Sequence, residues 1–222
     1  MGTTRVILVR HAAPQHHVDG ITGGPRGDGG ITDDGRAQAE RLAQRLAAAP
    51  WATAARLYAS TLPRAIETAE IVGAALGSDS SSIKQHCGLC SYHFPPELDA
   101  IPVKELWSNQ VPGAGVYTAY EQGNEPWIGL LARSGAALFE IAQANIGATA
   151  IVVTHGEVVQ ASLVAFGELP IRRHFDLAVT PTSITEWTTE DDLLDTGFPH
   201  WRFPRWTLRR LNDAAHLETL AA

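Results

Sequence analysis

Two histidines in this chain follow short apolar runs. His11 comes after Val6-Ile7-Leu8-Val9-Arg10, and His155 after Ala150-Ile151-Val152-Val153-Thr154. Between them in sequence, Arg64 closes the stretch Ser60-Thr61-Leu62-Pro63-Arg64, in which Pro63 suits the first turn of a helix. A neutral imidazole nitrogen can act as a nucleophile, and arginine forks match phosphoryl oxygens. In-line attack on a phosphomonoester needs a nucleophile, cationic donors around three equatorial oxygens, and a proton source for the leaving oxygen. His11 is the candidate nucleophile; Arg10, Arg64 and, when protonated, His155 are the candidate donors. Ser60 and the helix start near Pro63 add groups favourable to an anion. Singly, a histidine after a strand is more often structural, and an arginine at a helix start is more often a solvated charge. The joint arrangement is what carries the chemistry.

These residues must be held by elements the pattern makes legible. The β-branched-rich runs at Val6–Val9 and Ala150–Val153 read as strands buried on both faces, and Arg56–Ala59 as another short strand. Thr32 sits where an N-cap would, and Ala39, Leu42, Ala43 and Leu46 repeat with helical spacing after it. A helical stretch is expected from about Pro126 to Ala144, a helix after His155, and late strands at Ser183–Thr188 and Trp206–Leu211 with an acidic turn at Glu190-Asp191-Asp192 between them. Alternating strands and helices imply a mostly parallel sheet covered on both sides, with ligands bound beyond the strands' carboxyl ends. Residues 77–123 show no sustained period and read as a variable excursion over that edge, more often functional than merely tolerated. Within it, Gly113-Ala114-Gly115 could serve loop movement or simply turns.

The chain's 222 residues fit one domain, taken as 1–222 with that excursion. A formal net charge of −7 leaves no global field for nucleic acid or an anionic membrane, so positive charge for an anionic substrate must be local. No apolar run approaches the ~20 residues that span a bilayer, and no secretory signal is evident. With two cysteines, a cytoplasmic, reducing location is the expectation.

Four segments resemble motifs of the histidine phosphatase superfamily, also called phosphoglycerate-mutase-like. They are Leu8-Val9-Arg10-His11-Ala12, the helix-opening Ile31-Thr32-Asp33-Asp34-Gly35-Arg36-Ala37-Gln38-Ala39, Tyr58-Ala59-Ser60-Thr61-Leu62-Pro63-Arg64-Ala65-Ile66-Glu67-Thr68-Ala69, and Val152-Val153-Thr154-His155-Gly156. The resemblance implies a three-layer α/β/α sandwich and a pocket in which Arg10, His11, Arg64 and His155 surround a phosphate. His11 would form a phosphohistidine, with Ser60 and Gly156 in the substrate-binding set. No metal and no cofactor is implied, and the partner expected is a small phosphorylated molecule. The oligomeric state is open, with a homodimer among the options.

The pattern is broken where relatives commonly carry an acid: Gly88-Leu89-Cys90-Ser91-Tyr92-His93-Phe94 holds Ser91 at the comparable position. Serine protonates an alkoxide poorly, which leaves Glu97 and Asp99 as the nearest carboxylates; Glu97 is preferred, since Asp99 could cap a turn. After the first motif, Ala12-Ala13-Pro14 replaces the common Gly, and His16 and His17 follow as either substrate contacts or loop residues. His86-Cys87-Gly88-Leu89-Cys90 with His93 offers soft ligands, but structural zinc sites usually draw on two separated pairs, which weighs against a metal, and a redox pair lacks its usual setting. Trp107, Tyr117, Tyr120 and Trp127 could wall an organic leaving group or pack the loop. The reading is therefore a metal-independent phosphatase. A phosphoglycerate-mutase-like phosphotransferase and a non-catalytic ligand-binding relative are the alternatives.

Overall fold

The computed structural model describes residues 2–171, 176–190 and 204–220. The elements run β1 (Thr4–Arg10), α1 (Gln15–Asp19), α2 (Asp33–Ala47), β2 (Arg56–Ala59), α3 (Pro63–Ala75), β3 (Lys84–Gln85), α4 (Val103–Ser108), α5 (Trp127–Gln143), β4 (Thr149–Thr154), α6 (Gly156–Ala165), β5 (Ile184–Thr189) and β6 (Thr207–Asp213). They form a six-stranded sheet in the order β3-β2-β4-β1-β5-β6. β1, β2, β3 and β4 are mutually parallel, and β5 pairs antiparallel with both β1 and β6. Among the described residues, no helix is long and apolar enough to cross a membrane.

The apolar runs read from the sequence become strands buried on both faces because their alternate side chains enter different cores. Val6 and Leu8 of β1 and Ala150 and Val152 of β4 pack with Leu138, Ile141, Val158 and Leu163 of α5 and α6. Ile7, Val9, Ile151 and Val153 pack with Leu42, Leu46, Ala65, Ala69 and Val72 of α2 and α3. The sandwich thus has three layers, as a period of two along a fully buried strand requires.

Local chemistry agrees with these elements. The Thr32 hydroxyl accepts the Gly35 N–H at 2.9 Å, capping α2 as its position suggests. Pro63 opens α3. The excursion over 77–123 holds two elements without a sequence signal: β3, two exposed residues on the sheet edge, and the short α4. Neither is long enough to show periodicity. Of the expected acidic turn, only Glu190 lies within the described residues.

Gly35 has a packing reason to lack a side chain. A Cβ there would lie 2.4 Å from the Ala13 carbonyl oxygen, in the segment leaving β1. Gly35→Ala should therefore lower stability by about 1–3 kcal/mol, measured by urea unfolding, because the rigid backbone of Ala13 must move.

Candidate active site

Strand register brings the candidate residues together. Arg10 pairs with Thr154 across β1 and β4, so His11 and His155 leave adjacent strands side by side, and the His11 N–H donates to the Thr154 carbonyl at 2.8 Å. Ala59 pairs with Val153, and the Ser60 N–H donates to the Val153 carbonyl, which starts α3 beside the same edge. The imidazole centroids of His11 and His155 are 5.1 Å apart. Arg64 reaches between them from the first turn of α3.

Arg64 orders the site because a guanidinium can only donate. Its Nε donates to His11 Nε2 at 3.2 Å and its Nη2 to His155 Nδ1 at 3.1 Å. Its Nη1 donates to Asp28 Oδ2 at 2.7 Å and to the Gly23 carbonyl at 2.8 Å. These contacts settle both tautomers. His11 must present a bare Nε2, so its proton sits on Nδ1, which donates to the Ala12 carbonyl at 2.7 Å. His155 must present a bare Nδ1, so its Nε2–H points to Ser60 Oγ at 2.8 Å. Asp28 is fully enclosed, and its other carboxylate oxygen accepts the Gly30 N–H at 3.0 Å.

Electrostatics keep both histidines neutral. Burial and then the charges of Arg64 and Arg10 hold His11 well below the usual imidazole value. Burial, Arg64 and His11 do the same to His155. Arg10 is itself lowered by burial, an effect that Glu157 opposes. Its Nη1 donates to the Val179 carbonyl, while its buried Nε has no partner. An unpaired buried donor of this kind is costly unless an anion visits.

These groups line a pocket of about 380 Å3, a size suited to a small metabolite. Arg10, His11, Arg64, His155, Gly156 and Glu157 are among its lining residues. Ile21, Phe94, Val103, Leu106, Leu177 and Val179 supply apolar surface around it. His16 and His17 also line it, and burial with the nearby Arg64 lowers His16 to about 3. His16 Nδ1 is buried without a partner.

Comparison with known proteins identifies the family. The sequence profile of the histidine phosphatase superfamily (branch 1) matches residues 6–195. The chain belongs to that superfamily. It is 26% identical to phosphoglycerate mutase-like protein 4 of Arabidopsis thaliana over 225 residues, covering 96% of this chain and 86% of that protein. Its fold resembles a mycobacterial glucosyl-3-phosphoglycerate phosphatase, with TM-score 0.75 and 20% identity over 95% of this chain and 99% of the other. It also resembles a phosphoglycerate mutase from Bacillus anthracis, with TM-score 0.76 and 18% identity over 97% of this chain and 96% of the other.

Within this superfamily member, some expected site residues fall elsewhere. Glu97 is exposed on a single 3-10 turn, Pro96–Leu98, and does not line the pocket. Asp99 is buried and accepts the N–H groups of Gly24, Arg26 and Gly27 at 2.9, 2.7 and 3.0 Å, the turn-capping alternative. Ser60 is fully buried behind His155 rather than on the pocket wall. Trp127 packs in a core cluster with Leu130 and Leu131, while Trp107, Tyr117 and Tyr120 are exposed and do not reach the pocket. Asp28 and Glu157 were not singled out from the sequence. Glu157 adjoins the second histidine motif in the first turn of α6, a signal that could have found it; Asp28 lies in a glycine-rich loop with none.

Two outcomes follow from the buried charges. Asp28→Ala leaves Arg64 buried without its carboxylate and should cost about 3–5 kcal/mol in urea unfolding. Below pH ~6.5 the unfolded chain takes up protons that folded His11 and His155 refuse, so stability falls as pH drops through that value toward their lowered folded ones. Urea midpoints compared at about pH 7.5 and 5.5 should show the decline, and a smaller decline in His11→Asn.

Proposed function

We propose that this protein is a phosphatase that hydrolyses a small phosphomonoester through a phosphohistidine on His11. The observation that carries the reading is the forced tautomer of His11. Its Nε2 lone pair lies bare at the pocket, held by the donor Arg64 and backed by the Nδ1–H bond to Ala12. An incoming phosphoryl group would take over Arg64's donors and the unpaired Nε of Arg10. Its negative charge offsets the burial and the Arg64 charge that keep His155 neutral, allowing that residue to gain a proton and donate as well.

In the first step, the His11 Nε2–P bond forms and the ester P–O bond breaks, while Glu157 gives the leaving oxygen a proton. Glu157 is the single carboxylate among the described lining residues. Ser91 also lines the pocket and has no acidic capacity. In the second step, Glu157 takes a proton from water as the water oxygen attacks phosphorus. The P–N bond breaks, and phosphate and free His11 are released.

Hydrolysis is favoured over phosphoglycerate transfer by the apolar side chains that line the pocket beside Thr22, His17 and Gln160. Ile21, Phe94, Val103, Leu106, Leu177 and Val179 suit an apolar leaving group better than a glycerate carboxylate, whose burial needs a cationic partner. The neutral His16, with its unpaired Nδ1, can meet one polar atom of that group.

The test is phosphate release from aryl and alkyl phosphates, phosphoserine and 3-phosphoglycerate. His11→Ala should abolish turnover. Glu157→Gln should slow poor leaving groups by roughly 100-fold while sparing activated aryl phosphates, and Glu97→Gln should leave both unchanged. Interconversion of phosphoglycerates without phosphate release would instead establish the transferase reading.

A further inference from the structure

The cysteine turn of the excursion lies beside this site and has a ligand geometry of its own. Cys87, Cys90 and His93 each place one ligand atom within 4.8 Å of the other two. Cys87 Sγ and His93 Nε2 are 3.4 Å apart. A tetrahedral ion ~2.3 Å from sulfur and ~2.0 Å from nitrogen spaces its ligand atoms by about 3.5 Å, so only small adjustments would bring the three onto one ion. The 3-10 turn Cys87–Leu89 sets the two thiols at i and i+3, on the same side of the chain.

This arrangement is anchored rather than incidental. Arg133 Nη1 donates to the carbonyls of Cys87, Gly88 and Cys90 at 3.2, 3.1 and 3.0 Å, and its Nη2 to that of Ser91 at 3.1 Å. Glu125 holds Arg133 with contacts of 3.0 and 2.7 Å, and its Oε2 also accepts the His93 N–H at 3.3 Å. One ion pair therefore fixes the backbone on both sides of the cluster. Cys87 and His93 are exposed, so an ion has an approach.

We propose that Cys87, Cys90 and His93 form a binding site for a zinc ion, with water in the fourth position. Binding forms two Zn–S bonds and one Zn–N bond, and the two thiol protons pass to solvent. Occupancy is felt at the phosphate pocket. Cys90 Sγ accepts the Ser60 O–H at 3.3 Å, and Ser60 Oγ accepts His155 Nε2–H at 2.8 Å. A zinc-bound thiolate is the stronger acceptor and reinforces the tautomer in which His155 Nδ1 faces Arg64.

The experiment titrates the full, chelator-treated and chemically reduced chain with cobalt(II), then with zinc(II). One equivalent of cobalt should bind with thiolate-to-cobalt charge-transfer absorption, and zinc should displace it. Cys87→Ser and His93→Ala, both at exposed positions, should each weaken binding by at least ~10-fold with unchanged far-ultraviolet circular dichroism. Absence of saturable one-to-one binding, or affinity retained in both variants, would overturn the site. So would thiols that oxidise to a disulfide in a chain whose reduced form takes up no metal. The readout is absorption, so it stands whether or not the protein hydrolyses a phosphomonoester.

Discussion

A guanidinium taken out of water must give its N–H groups to acceptors, and Arg64 has few ways to do so. The side chains of Arg64 and Asp28 are only 5% and 0% exposed. In such surroundings, an unpaired charge is far costlier than a paired one. The pair therefore dictates the glycine-rich loop that carries Asp28, the approach of the Gly23 carbonyl, and the orientation of both imidazoles. Because arginine never accepts, the proton positions on His11 and His155 follow from its placement. Arg10 lines the same pocket, and its buried Nε is left unpaired.

The sheet makes this constraint possible. Parallel pairing of β1 with β4 and of β4 with β2 aligns three chain exits at one edge, and burial of both faces leaves little freedom for a register slip. Each exit then serves a different purpose: His11 from β1, His155 and the start of α6 from β4, and the turn into α3 with Arg64 from β2. Glu157 stands in the first turn of α6, beside this edge.

The excursion supplies what the sheet cannot. Ser91, Phe94, Val103 and Leu106 come from it and complete the pocket wall. Asp99 ties it back to the loop around Gly24 and Gly27, and the Arg133–Glu125 pair shapes its cysteine turn. This part of the pocket lining is thus carried by a segment anchored by polar contacts and by the short α4.

The sequence by itself determined the layered fold and brought forward Arg10, His11, Arg64 and His155, which line one pocket. Both rest on local, periodic signals: apolar runs buried on two faces, a capped amphipathic helix, and arginine and histidine at strand and helix ends. β3 and α4 were too short to carry a period. Which carboxylate and which apolar side chains line the pocket was decided only by the tertiary structure, because this depends on contacts between distant segments. Glu97 is close to the broken motif in sequence yet sits on solvent, whereas Glu157 comes from the other half of the chain. Asp28 pairs with Arg64 across a glycine-rich loop whose path no periodicity encodes. The aromatic residues of the excursion are apolar enough to wall a ligand, but only long-range packing could send Trp127 into a core and leave Trp107, Tyr117 and Tyr120 exposed.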